Sequence, residues 1–134
     1  MPSEGRGGAE ARFPTAPREA VVAAQVLSKT PMMITRLWRG WTRIDNAEAY
    51  ERFLLGELFP SMREIPGFRG ADVLRRVEDE GVAFITLTRF DSVDAIRAFA
   101  GDDYETAVLE PQARALLSRY EKRAVHFETA TFAA

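Results

Sequence analysis

The chain has 134 residues, of which 46% are hydrophobic and 28% charged, with a formal net charge of -2 and no cysteine. This balance is typical of one soluble globular domain and excludes a disordered or fibrous chain. The small negative charge argues against nucleic acid as a partner, no apolar run is long enough to span a membrane, and the lack of cysteine excludes disulfides, thiolate metal sites and cysteine nucleophiles.

Residues 1–31 differ from the rest in their glycine and proline content and their few aromatic residues. We expect a disordered or partly helical N-terminal extension, with a short helix over residues 18–29. The alternative is that the natural start is Met32 or Met33. Acidic residues lie where a signal peptide would be basic, and a cysteine-free chain fits the cytoplasm.

Residues 33–42 contain both tryptophans of the chain and alternate with a period of two, which predicts a first strand. Arg36 and Trp38 fall on one side of this strand, and Trp41 falls on the other. Neither side is purely apolar or purely polar. We therefore expect both faces to be covered, one of them by a polar, hydrated environment that accommodates arginine.

A helix is predicted over residues 46–63. Asp45-Asn46 followed by Glu48 is a capping-box pattern, and apolar residues then recur at helical spacing. Pro60 is expected to kink or shorten this helix.

The remaining elements follow in order, each predicted from its periodicity and its turn residues. They are a strand over 68–77, a hairpin over 78–81, a strand over 82–90, a short helix carrying Phe99, a helix from 110 to 120, and a strand over 123–131. The order β-α-β-β-α-β predicts an α+β, ferredoxin-like fold with a four-stranded antiparallel sheet and helices on one face. The bare face of the sheet predicts a homodimer, in which two sheets form a dimeric α/β barrel.

Several of these segments resemble the antibiotic biosynthesis monooxygenase-like family of the dimeric α/β-barrel superfamily. The matching stretches are residues 34–42 (ITRLWRGWT), 65–70 (IPGFRG), 84–92 (FITLTRFDS) with 95–99 (AIRAF), and 125–128 (VHFE). The resemblance extends over about residues 33–131, so we predict that residues 32–134 form one domain of this type.

The resemblance implies a flat polyphenolic substrate held between the sheet and the helices. In the characterised oxygenases the deprotonated substrate reacts directly with oxygen, without a flavin or a metal, so no cofactor is expected. Haem-degrading relatives bind iron through a histidine on a helix. Here the single histidine, His126, lies in the last predicted strand, which argues against haem binding of that kind.

Three residues are the candidate catalytic groups. His126 titrates near neutrality and suits a proton acceptor, Trp38 could stack on a flat ligand, and Arg36 could hold a phenolate or carboxylate. Each also has a structural explanation. His126 could be a satisfied strand histidine, Trp38 a core residue, and Arg36 the partner of Glu128 or Glu57.

Trp41, Tyr50, Phe53, Arg89 and Phe99 are the candidate substrate-binding residues. Core packing explains the aromatic members equally well, and an ion pair explains Arg89. One histidine, no cysteine and no paired acidic motif argue against a metal site.

Three functions remain open on this sequence: a cofactor-independent monooxygenase acting on an aromatic or polyketide-like molecule, a non-catalytic dimeric module that binds a small molecule or is structural, and an isomerase that uses His126. The space between sheet and helices separates them. A space filled by Phe53, Phe99 and Leu116 would favour the module, and an open cavity walled by His126 and Trp38 would favour an enzyme.

Overall fold

The first strand lies at the centre of the sheet in the computed structural model, which describes residues 33–134. Strand β1 (Met33–Thr42) pairs antiparallel with β3 (Gly81–Phe90) along one side. Strand β2 (Phe68–Glu78) pairs with the far side of β3. The predicted N-terminal extension lies outside the described residues.

Two strands lie on the other side of β1, the predicted fourth strand and a shorter strand before it that was not predicted. Strand β4 (Leu117–Tyr120) pairs with Gly40–Thr42, and β5 (Val125–Thr129) pairs with Met33–Leu37. The sequence prediction was wrong here, because it extended a helix through Tyr120. That helix ends at Leu116, since pairing with the end of β1 satisfies the backbone of the next four residues better than another helical turn would.

The predicted helix over residues 46–63 is confirmed as one rod with an irregular middle. Helix α1 (Ala47–Phe53) runs into a π-helical turn (Leu54–Leu58) and then into α2 (Phe59–Met62). Pro60 lies at the start of α2. It has no N–H to donate to the preceding turn, and the wider turn before it accommodates this loss.

The predicted capping box does not form. A short 3₁₀ turn (Ile44–Asn46) precedes α1, and no side chain caps the helix. The Asn46 amide instead donates to the Leu116 carbonyl at 3.3 Å, which ties the start of α1 to the end of the last helix. Backbone hydrogen bonds of the 3₁₀ turn take the place of the side-chain cap.

Two short helices complete the layer on one face of the sheet. Helix α3 (Val93–Ala100) is capped by the Ser92 hydroxyl, which accepts from the Ala95 N–H at 3.1 Å, and α4 comprises Pro111–Leu116. The predicted α+β, ferredoxin-like fold is confirmed, with five strands in the antiparallel sheet where four were predicted. None of the described helices combines the length and the apolar character needed to cross a membrane.

The two faces of the sheet differ sharply in burial. The core lies on the helical face, where Tyr50, Phe84 and Phe90 are fully buried. The other side of the sheet, the open face, is not covered by the described helices. There Leu74, Val125 and Phe127 are 44%, 49% and 50% exposed. In a single chain, about half of each of these apolar side chains therefore contacts solvent.

Candidate functional site

A small cavity lies between the sheet and the helical rod. Its volume is about 30 Å³, enough for a few water molecules and far below the ~300 Å³ at which pockets for drug-sized ligands begin. Most of its wall is apolar, formed by Trp38, Tyr50, Phe53, Leu54, Leu58, Phe59, Met62, Phe99, Val108 and Ala113. Its polar lining residues are Arg36, Thr86, Thr88 and Glu110.

Arg36 is a buried cation in the wall of this cavity. The residue is 3% exposed, and burial lowers the pKa of the guanidinium to about 10, so the group remains charged at neutral pH. Nη1 donates to the Tyr104 carbonyl and Nη2 to the Thr106 carbonyl at 2.8 Å. Burying a charge is costly unless it is paired. Here backbone carbonyls provide the compensation.

No carboxylate of residues 33–134 lies within 4.0 Å of Arg36, so neither Glu128 nor Glu57 forms the ion pair considered from the sequence. A guanidinium has five N–H donors. Three are used, because Nη1 also contacts His126. The Nε donor and one Nη2 donor have no acceptor among residues 33–134, and the Phe99 ring lies 5.5 Å from the guanidinium carbon.

His126 lies directly opposite Arg36 in the β1–β5 register. Its Nε2 is 3.2 Å from Arg36 Nη1, and since arginine only donates, Nε2 must accept and the ring proton must be on Nδ1. Nδ1 is buried and has no hydrogen-bond partner in the described part of the chain. His126 does not line the cavity. His126 therefore contacts Arg36 from outside the cavity, and its role as a proton acceptor stays a prediction.

The pKa of His126 is lowered by burial and, to a smaller extent, by the positive charge of Arg36, against a weaker opposing effect of Glu105. The unfolded chain therefore binds more protons than the folded chain between this depressed pKa and 6.5. Full stability is present above pH 6.5, and we expect the free energy of unfolding to fall as the pH decreases through this window.

Urea unfolding at about pH 7.5 and about pH 5 should show this loss in the parent protein and a smaller loss in His126→Gln. The chain has a single histidine, so no other imidazole titrates in this pH range. Arg69 and Arg123 lower the pKa values of the Asp91 and Asp103 carboxyls, which therefore stay ionised at both pH values. An equal loss in both proteins would contradict the assignment.

The two tryptophans lie on opposite faces of the sheet. Trp38 is 8% exposed, lines the cavity, and donates its indole N–H to the Glu121 carbonyl at 2.6 Å. Trp41 lies on the open face, where the Arg119 guanidinium stacks at 3.6 Å from its ring. Trp38 is therefore the tryptophan of the cavity, and Trp41 has no contact with it.

The structure brings Tyr50, Phe53 and Phe99 together with Arg36 and Trp38 around the cavity. Burial raises the pKa of Tyr50, so its hydroxyl stays protonated. Arg89 lies outside this group, because its side chain extends from the open face and pairs with Asp72 at 2.7 Å. Trp41 and Arg89 are both odd-numbered strand residues, and the alternation that puts Arg36 toward the helices puts them on the other face.

Sequence reasoning missed two kinds of residue at this site. Thr86 and Thr88 line the cavity, and their even positions in β3, shared with Phe84 and Phe90, were a usable signal. The carbonyls of Tyr104 and Thr106 left no such signal, because a backbone contact leaves no trace in the side-chain pattern. Across residues 33–134, no group of three or more acidic or histidine side chains could hold a metal ion.

The architecture matches solved structures of antibiotic biosynthesis monooxygenases. A putative antibiotic biosynthesis monooxygenase from Bacillus cereus aligns with a TM-score of 0.52 at 12% identity, covering 77% of this chain and 98% of its own. A variant of SnoaB, a cofactor-independent oxygenase from Streptomyces nogalater, aligns with 0.52 at 21%, covering 75% and 95%.

A monooxygenase from the gene ActVA-Orf6 of Streptomyces coelicolor, solved with the ligand nanaomycin D, aligns with a TM-score of 0.52 at 17% identity, covering 82% of this chain and 97% of its own. No protein-family model and no curated protein matches the chain. The family resemblance expected from the sequence motifs is confirmed at the level of the fold. At these identities the fold is what is shared, and activity has to be argued from the site.

Proposed function

We propose that the chain is a cofactor-independent monooxygenase that binds a small aromatic or polyketide-like molecule, as its anion, in the cavity between sheet and helices. One observation carries the proposal: Arg36 is a buried cation with spare donors and with no carboxylate of residues 33–134 beside it. Such a group favours binding of a phenolate, an enolate or a carboxylate.

Arg36 also supplies a way to form the reactive anion without a protein base. A cation that lies close to a phenol or an enol lowers the pKa of that group, so the substrate loses its proton to solvent as it binds. Trp38 and Phe99 offer flat apolar surfaces to its ring. The electron-rich anion then reacts with oxygen at an activated CH₂ group. One oxygen atom becomes the new carbonyl and the other leaves as water, so no external reductant is required.

Oxygen uptake with a panel of anthrone-like phenols tests this proposal. We expect one oxygen consumed per substrate oxidised, a ketone product, and a rate that persists within about tenfold in His126→Gln, because His126 supports Arg36 without reaching the cavity. Heat-inactivated protein measures the background autoxidation of the phenols. No uptake above that background would contradict the oxygenase proposal for this class of substrate.

A non-catalytic binding module is the second candidate, and the position of His126 favours it. The single histidine of the chain has its acceptor nitrogen at Arg36, and a cavity of about 30 Å³ is nearly filled by its own aromatic lining. Binding of an aromatic anion without oxygen uptake would identify such a module. The isomerase needs a proton shuttle in the cavity, and the position of His126 does not favour one.

We also propose that a second copy of the chain covers the open face. Leu74, Val125 and Phe127 leave an apolar surface there that one chain does not bury, and a patch of this kind is typical of an interface. Face-to-face packing of two sheets would form the dimeric barrel that the family resemblance implies.

A further inference from the structure

Phe53 belongs to the wall between the cavity and the space outside it. It is 5% exposed and lies at the end of α1, directly before the π-helical turn. On the outer side two grooves, each of about 460 Å³, run between the helical rod and α4. Among residues 33–134, Phe53 is the one residue that lines both grooves and the inner cavity.

The size of the inner cavity forces a ligand to move something. At about 30 Å³ it cannot hold even one aromatic ring, whereas the grooves behind Phe53 offer more than ten times that space. Displacing a core side chain without a place to put it would be costly. Phe53 has open volume on its outer side, and the irregular turn that follows it interrupts the regular hydrogen bonding of the rod.

Charge differs between the two ends of this path. Arg36 is the cation at the inner end. One groove is lined by two carboxylates, Glu57 and Glu110, and by no cation of the described residues, whereas the other groove has Arg52 beside Glu57. The Glu57 carboxylate accepts from the Gln112 amide at 3.3 Å across the groove. An anionic group would thus be attracted at the inner end and repelled in the groove that Glu57 and Glu110 line.

We propose that Phe53 is the specificity-determining residue of the site, and that the ligand takes its place. The ligand is an elongated aromatic monoanion of two or more fused rings, with the anionic group at Arg36 and an uncharged apolar end in the groove that Glu57 and Glu110 line. This inference rests on the proposed binding of an anion at Arg36.

The test measures dissociation constants in a Trp41→Phe background, where Trp38 is the remaining tryptophan and reports on the cavity by fluorescence. The probes are naphthalene, 2-naphthoate and 2,6-naphthalenedicarboxylate. Phe59→Ala is the matched control, because Phe59 lines the cavity but neither groove, so its loss enlarges the cavity without opening it.

The ligand binds when Phe53 moves into a minor, open conformation. Phe53→Ala should therefore bind naphthalene and 2-naphthoate about tenfold tighter than the parent. In Phe59→Ala the affinity for either probe should change by less than about threefold. Phe53→Leu should fall between the parent and Phe53→Ala, and it substitutes for Phe53→Ala if that variant fails to fold. The dicarboxylate should bind about tenfold more weakly than 2-naphthoate, because of the outer carboxylates.

The results separate the two proposals. Equal gains in Phe53→Ala and Phe59→Ala would overturn the role of Phe53, whatever the charge of the probe. Equal affinity for the two carboxylates would overturn the orientation of the ligand. If Phe53→Ala gains affinity for naphthalene but binds 2-naphthoate no better than naphthalene, anion recognition at Arg36 fails while the role of Phe53 stands.

Discussion

Arg36→Met is expected to lose about a hundredfold in affinity for 2-naphthoate, and to lose oxygen uptake with phenolic substrates, since charge-assisted hydrogen bonds to a buried group are worth roughly 1.5–3 kcal/mol each. Methionine fills a similar volume and has no donor and no charge. Affinity for uncharged naphthalene should change little, because the apolar walls remain. Fluorescence titration and oxygen uptake measure the two losses.

Arg89→Met is the control for this prediction. Arg89 lies next to β1 in the same sheet, opposite Thr35, and its side chain is on the open face with Asp72. Its loss should leave binding unchanged, since a surface ion pair contributes about 0–1 kcal/mol to stability and Arg89 does not line the cavity. Similar losses in both variants would indicate a general effect of removing positive charge, and the proposed site would then be wrong.

Folding has to be checked separately in Arg36→Met. The carbonyls of Tyr104 and Thr106 lose their donor, and an unsatisfied buried carbonyl costs about 1–3 kcal/mol. Urea unfolding measures this cost. Arg36→Lys, which keeps the charge but lacks the planar fork, should recover part of the binding.

Gly81→Ala is expected to lower the free energy of unfolding by about 3 kcal/mol or more. Gly81 has a φ of 154°, and a Cβ added there would lie 2.2 Å from the Thr42 carbonyl oxygen. That oxygen belongs to the backbone at the end of β1, so the clash can be relieved only by separating β1 from β3. Chemical denaturation followed by circular dichroism measures the loss.

Gly56→Ala is the matched substitution. Gly56 lies in the π-helical turn, and a Cβ there would meet no atom within 4 Å. Alanine should raise the free energy of unfolding by about 0.5–1 kcal/mol, because glycine has more backbone freedom to lose. If both alanine variants were equally destabilised, close backbone approach would not be the reason that residue 81 is glycine.

The parts of the structure that follow from local periodicity were predictable, and the parts set by distant pairing were not. Alternation in residues 33–42 placed Arg36 and Trp38 on one face and Trp41 on the other, as the structure has them. The same local reasoning extended the last helix to Tyr120. Residues 117–120 are a strand because Gly40–Thr42 lie beside them, and no feature of their own sequence reports that neighbour.

The site shows the same division. Tyr50, Phe53 and Phe99 were predicted as pocket residues because an apolar helix face points toward the sheet, and they line the cavity. His126 was predicted as a base from its chemistry alone. Its hydrogen bond from Arg36, accepted by Nε2, is a fact of geometry that residue type does not encode.

The contacts of Arg36 also bear on the order in which the chain folds. Its partners Tyr104, Thr106 and His126 are 68, 70 and 90 residues further along the chain. The β2–β3 hairpin, in contrast, closes between Glu78 and Gly81, which are about three residues apart. Closing long loops costs more entropy than closing a tight turn, so we expect the hairpin to form early and the anion site to assemble last. Ligand binding would then report completion of the native state, and a chain that has lost only the pairing of β5 with β1 would keep its hairpin but bind nothing.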